Sequence, residues 1–146
     1  MKQPGALICL FIFVAAVSFG LASEQYHSAR KVKATLSGAA EIPGPGDSDG
    51  TGTVTLMLNA GKNQICYELA VSNIGTATAA HIHSGGKDVA GPVVFMMTAP
   101  ASGSSKDCGT LEREKILQIL KSPGDYYVNV HNAEFPDGAV RGQLSK

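Results

Sequence analysis

Three of the four histidines in this 146-residue chain lie in two short segments with the alternating pattern of β-strands. His81 and His83 flank Ile82, and His131 ends the run Tyr-Val-Asn-Val-His. Because successive side chains of a strand point to opposite faces, His81 and His83 share one face, with Cα atoms about 6.5–7 Å apart. If His131 lies beside them, three imidazoles can bind one ion and leave an open position. The pattern predicts a copper or zinc site, and copper has the higher intrinsic affinity for such ligands.

A metal-free interpretation fits the same spacing. The imidazoles can hydrogen-bond to Tyr127, to Asn129 or to loop carbonyls, and spacing alone does not separate the two interpretations. A second cation site, for calcium at Asp47 and Asp49, is a weaker hypothesis, because two carboxylates do not fill a calcium shell and Asp-Gly is common in turns.

Catalytic nucleophiles are not apparent in the sequence. There is no Gly-x-Ser-x-Gly motif, and Ser104 and Ser105 have no histidine nearby in the sequence. We predict no catalytic residue and favour a protein that is not an enzyme.

The N-terminus has the pattern of a secretory signal peptide. Lys2 precedes an apolar run, and Gly20 and Ala22 form a small-x-small cleavage site, so we predict a signal peptide over residues 1–22. A retained anchor is the alternative, but the run is shorter than the roughly 20 residues that span a bilayer. We therefore expect a secreted or periplasmic protein with no membrane segment after cleavage.

Cleavage also removes one of the three cysteines and leaves Cys66 and Cys108. An even pair in an oxidising compartment predicts a disulfide between them, with two buried free thiols as the alternative. The rest of the chain has the size of one domain. We assign residues 23–30 to a flexible tail and 31–146 to that domain.

The charge balance restricts the class of partner. The chain has 12 basic and 12 acidic residues and no long basic run, which disfavours nucleic-acid binding. The partner expected from the sequence is an unidentified extracellular or periplasmic ligand or protein.

Hydrophobic periodicity is close to two along most of the chain, which is typical of antiparallel β-structure. Gly61 is expected to supply a positive φ in a tight turn, and the Gly- and Ser-rich segment that carries Cys108 is expected to be a flexible loop. A short helix is predicted over residues 111–120. The fold class is therefore all-β, a Greek-key sandwich or barrel of seven to eight strands with one helix. The predicted strands cover residues 31–36, 52–58, 64–72, 78–83, 92–97, 125–131 and 138–144.

Several segments, taken in order, carry a family resemblance. They are Ala34-x-Leu36-x-Gly38, Glu41-x-Pro43, Gly50-x-Gly52, Ala80-His81-Ile82-His83, Gly91-Pro92-Val93-Val94, Tyr127-Val128-Asn129-Val130-His131 and Gly138-x-x-Arg141-Gly142-Gln143-Leu144. Together they resemble the CHRD (chordin-repeat) domain over nearly all of the predicted mature chain. The resemblance implies an exported β domain whose biochemical role is poorly defined. Because Glu41 and Arg141 lie in resemblance segments at the start and the end of the fold, we also predict that they form a structural ion pair.

A more distant fold analogy connects the chain to copper/zinc superoxide dismutase, which is also a Greek-key sandwich with a His-x-His strand. In that analogy His81, His83 and His131 match three copper ligands. The chain departs from the pattern at Val93, where that family has a metal-bridging histidine after Gly-Pro. Two functions therefore stay open: a secreted binding or structural module, which we favour, and a copper-binding redox or metal-handling protein.

Overall fold

The computed structural model of the protein describes residues 28–146, which form eight β-strands and one α-helix. The helix α1 spans Arg113–Lys121, and two short 3-10 turns cover Gly38–Ala40 and Pro123–Asp125. The predicted signal peptide lies outside the described residues, as do residues 23–27 of the predicted tail. The strands are β1 (Arg30–Ser37), β2 (Thr51–Asn59), β3 (Gln64–Ser72), β4 (Ala77–Ser84), β5 (Val93–Met97), β6 (Ser104–Thr110), β7 (Tyr126–Asn132) and β8 (Val140–Gln143).

All eight strands pair antiparallel in one sheet with the order β5-β4-β7-β8-β1-β2-β3-β6. The sheet curls until its two edge strands approach each other. The Thr98 N–H, just after β5, donates to the Tyr67 hydroxyl at 2.7 Å, and the Ser105 hydroxyl of β6 donates to the Thr98 carbonyl at 2.8 Å. In this nearly closed barrel the β3–β4 and β6–β7 connections each pass two strands, which is a Greek-key arrangement. The predicted fold class is confirmed.

The core forms where the alternating apolar positions predict it. Along β3, the side chains of Ile65, Tyr67, Leu69 and Val71 are buried, while their neighbours are exposed or half-buried. The same alternation in β2 buries Val54, Leu56 and Leu58. Burying these side chains is the main favourable contribution to folding, at roughly 1.5–3 kcal/mol for each large apolar group.

The helix predicted over residues 111–120 is present as α1, which begins and ends slightly later. Its apolar side packs on the core, with Ile116, Ile119 and Leu120 buried, and Lys121 lies in its last turn. No helix in residues 28–146 is both long enough and apolar enough to cross a bilayer.

The turn between β2 and β3 differs from the prediction at one residue. The positive φ belongs to Asn63, at 51°, and not to Gly61. Asparagine tolerates the left-handed region because its short polar side chain bonds locally. The Asn59 side chain further holds the turn by accepting a hydrogen bond from the Lys62 N–H at 3.0 Å.

The segment that carries Cys108 also differs from the prediction. It is the edge strand β6 and not a flexible loop. It pairs along its whole length with β3, and Cys66 lies directly opposite Cys108. Serine, glycine and lysine have weak intrinsic β propensity, so the cross-strand pairing and the covalent bond decide this conformation.

Candidate metal centre

Strand β4 places two of the predicted ligands on one face of the sheet. Ala80 and Ile82 are fully buried in the core, so His81 and His83 project from the opposite face. His83 is nearly buried and His81 is half-buried, which leaves the pair partly accessible.

The adjacent strand β7 brings the third histidine to the same face. His131 pairs with Ala79 and Asn129 pairs with His81, so His131 lies diagonally beside His81. His81 Nδ1 is 3.1 Å from His131 Nε2, and the ring centroids of His81 and His83 are 5.5 Å apart. One nitrogen from each of the three rings lies within 4.8 Å of the other two. The structure therefore brings together the three histidines that the sequence selected.

Two backbone carbonyls fix the protonation pattern of the cluster. His83 Nδ1 lies 2.8 Å from the Gly91 carbonyl, and His131 Nδ1 lies 2.9 Å from the Pro136 carbonyl. A carbonyl only accepts, so each Nδ1 carries the proton and each Nε2 keeps a lone pair. Such hydrogen bonds orient histidine ligands in metalloproteins.

The Nε2 of His83 is the least expected atom of the cluster. It is buried, and it has no hydrogen-bond partner within the described part of the chain. Buried polar atoms in native proteins normally have a partner, and an ion is one of the accepted explanations when none is present. The cluster therefore has the donor set and the unsatisfied atom expected of a metal site.

The surroundings of His81 and His131 favour neutral imidazole rings at these two positions. Burial lowers the pKa of His81, and the neighbouring His131 and His83 lower it further. Burial also lowers the pKa of His131, although the Pro136 carbonyl opposes that effect. Since only the neutral ring binds a metal, both shifts favour metal binding at neutral pH.

A second layer of side chains lies behind His83. The Tyr127 ring stacks on the His83 ring, with centroids 4.7 Å apart and planes 6° from parallel. The guanidinium carbon of Arg141 lies 3.4 Å from the centroid of the Tyr127 ring. This ordered stack fixes the plane of the His83 imidazole. From the sequence, Tyr127 is predicted only as a hydrogen-bond partner of the imidazoles. Its position four residues before His131 places it on the same face of β7.

The glycine-rich connection between β4 and β5 closes over this stack. Arg141 Nη2 donates to the carbonyls of Gly86, Lys87 and Val89 at 2.8, 3.2 and 3.0 Å. The Gly91 N–H donates to the Tyr127 hydroxyl at 3.1 Å. A Cβ atom at Gly91 would lie 1.6 Å from the Ser84 carbonyl oxygen, so glycine is required there. The connection is thus tied to the site by several hydrogen bonds.

Glu41, the predicted ion-pair partner of Arg141, does not belong to the stack behind His83. Glu41 is buried, and its carboxyl group occupies the space where a Cβ at Gly138 would lie, at 2.4 Å from it. Glu41 and Arg141 form no direct ion pair. Burial raises the pKa of Glu41 to about 7, while the Arg141 charge and a backbone hydrogen bond from Ile42 act in the opposite direction. The Arg141 guanidinium group points to the loop carbonyls and not to the Glu41 carboxyl group. The two charged groups therefore interact only over a longer distance.

The other predicted site residues, two cysteines and two aspartates, are not part of the histidine cluster. Cys66 and Cys108 form the predicted disulfide. Asp47 and Asp49 belong to no group of three or more potential ligands, and within residues 28–146 the histidine cluster is the one such group.

Comparison with known proteins adds one finding. The CHRD domain family profile matches residues 32–144, which is most of the chain. No curated protein and no solved structure matches the chain. Since the match covers all eight strands except the first residues of β1, and includes the three histidines, the chain belongs to the CHRD domain family.

Proposed function

We propose that this protein is an exported CHRD module that binds one copper ion through His81, His83 and His131. The proposal depends chiefly on the buried, unpartnered Nε2 of His83 beside two other imidazoles. Nδ1 is engaged with a carbonyl in His83 and His131, so Nε2 is their ligand atom. In His81 the ligand atom is Nδ1, which faces His131.

The spacing of these atoms supports metal binding. His81 Nδ1 and His131 Nε2 are 3.1 Å apart, and one of them must donate a proton in the metal-free protein. Two nitrogens bound to one ion at about 2.0–2.1 Å in a tetrahedral site lie about 3.3 Å apart. An ion can therefore replace the shared proton with little movement of either ring.

The donor set favours copper, and zinc is the second candidate. Three neutral imidazoles suit either ion, and the affinity of a given site is higher for copper than for zinc. Val93 follows Gly91-Pro92, so that position provides no further imidazole. We therefore propose that the module carries or senses copper and is not a dismutase.

The disulfide and the family support an extracellular or periplasmic setting. Disulfides persist in oxidising compartments, and Cys66–Cys108 joins two strands of the domain.

The test is metal analysis by mass spectrometry of the protein purified from its export compartment. We expect about one copper per chain in the wild type and none in a triple variant with His81, His83 and His131 changed to alanine. A His27→Ala variant is the control, since it removes the one histidine of the sequence that is not a proposed ligand.

Circular dichroism of the triple variant must show a folded β protein for the comparison to hold. A metal-free wild type that also fails to take up added copper would refute the proposal. Stoichiometric zinc in place of copper would keep the site and reject its assignment to copper.

A further inference from the structure

A methionine of the edge strand lies next to the histidine cluster. Met96 of β5 is the direct cross-strand partner of His81 in β4. Directly opposed residues of an antiparallel pair share a face, and their Cβ atoms lie about 4.5–5.5 Å apart. The Met96 side chain therefore starts beside the first ligand of the site.

The neighbours of Met96 confirm its orientation. Met97 pairs with Ala80 and is buried, and Phe95 pairs with Ile82 and packs against the core. Because side chains alternate along a strand, Met96 must project to the opposite face, where the histidines are. One row across the outer face runs from Arg141 through Asn129 and His81 to Met96.

Packing against the core does not explain why a methionine occupies position 96. Met96 is 67% exposed, the largest exposure among the large hydrophobic residues of the described chain. The thioether is polarizable, and the unbranched side chain has three rotatable bonds. An exposed Met96 can reorient toward the cluster without breaking core contacts.

We propose that the Met96 sulfur is the fourth ligand of the histidine site, which makes the site selective for Cu(I). This inference rests on the copper site proposed above. Thioether sulfur is a soft ligand that suits Cu(I), whereas imidazole nitrogens also suit Cu(II) and zinc. A three-histidine, one-methionine set also fills the position that the three histidines leave open.

The test compares the full exported chain with its Met96→Leu variant. Cu(I) affinity is measured anaerobically by competition with a chromophoric Cu(I) chelator, and Zn(II) affinity by competition with a zinc indicator. Leucine keeps the volume of the side chain and removes the sulfur. Met57→Leu is the matched control, because Met57 is the other exposed methionine of residues 28–146, at 37%, and it lies beside the disulfide.

We expect Met96→Leu to weaken Cu(I) binding at least tenfold and to leave Zn(II) binding within twofold, while Met57→Leu changes neither. X-ray absorption of the Cu(I) protein should show a sulfur ligand that disappears in Met96→Leu. Wild-type Cu(I) bound without sulfur, or unchanged Cu(I) affinity in Met96→Leu, overturns the role of Met96 and leaves the three-histidine site intact. A wild type that binds no copper in either oxidation state overturns both proposals.

Discussion

Two regions of the same sheet are stabilised by different means. The disulfide edge, formed by β3 and β6, is joined by Cys66–Cys108 and by an exposed ion pair between Glu68 and Lys106. The histidine face, the outer surface of β4, β7 and β8, depends on buried Arg141, on Tyr127 stacked against His83, and on hydrogen bonds to a loop.

This difference follows from what each region has to hold in place. A covalent bond keeps β6 paired with β3 whatever the side chains around it, so a segment rich in serine and glycine is sufficient there. Metal ligands need rings in fixed orientations, and only packing and directed hydrogen bonds provide that. We therefore expect damage to the histidine face to affect both stability and copper binding, and damage to the disulfide edge to affect stability alone.

The largest effect is expected from Arg141→Met. The change removes the contact with Tyr127 and the cationic Nη2 group, whose two hydrogens are shared among three carbonyls. Hydrogen bonds to charged groups contribute about 1.5–3 kcal/mol each, so two of them contribute about 3–6 kcal/mol. Because water can replace part of these interactions, we expect the free energy of unfolding to fall by about 5 kcal/mol. We also expect at least a tenfold loss of copper affinity.

Urea unfolding and copper competition check this prediction, with Arg30→Met on the exposed start of β1 as the control. A stable Arg141→Met protein with normal copper affinity would show that the buried arginine does not position the site.

Removal of the disulfide comes second. Changing both Cys66 and Cys108 to alanine opens a loop with a sequence separation of 42. The chain-entropy estimate for a loop of this size is about 4 kcal/mol of lost stability. Copper affinity of the folded variant should stay within twofold of the wild type, because none of the proposed ligands lies on the disulfide edge. A marked fall in copper affinity would mean that the two regions are coupled.

The third effect is a pH dependence due to Glu41. Its pKa is raised to about 7 in the folded protein, from the usual 4.5, so the folded state holds a proton that the unfolded state releases. The resulting stability is fully present below pH 4.5 and is lost as pH rises through 7, a change of about 3 kcal/mol. In Glu41→Gln this loss should be absent.

His81 and His131 contribute with the opposite sign, since their lowered pKa values make the folded state bind fewer protons than the unfolded state. The measurement is therefore the difference in unfolding free energy between wild type and Glu41→Gln in metal-free buffer from pH 4 to 8.5. A difference that does not change with pH would show that folding leaves the pKa of Glu41 unshifted.

Several features were determined by the sequence alone. Alternating apolar residues in segments such as 64–72 predict both the strand and its buried face, because backbone geometry within one strand fixes that relation. The same rule places His81 and His83 on one face. The pairing of Cys66 with Cys108 followed from the number of cysteines left after the predicted cleavage.

Other features were decided only by the tertiary structure. Which residue lies opposite another depends on strand order and register, and these are set by contacts between residues far apart in the chain. The 3.1 Å approach of His131 to His81, the strand conformation of β6, the loop contacts of Arg141 and the position of Met96 opposite His81 all depend on that register. Local propensity carries no information about such partners, because each one is supplied by a different strand.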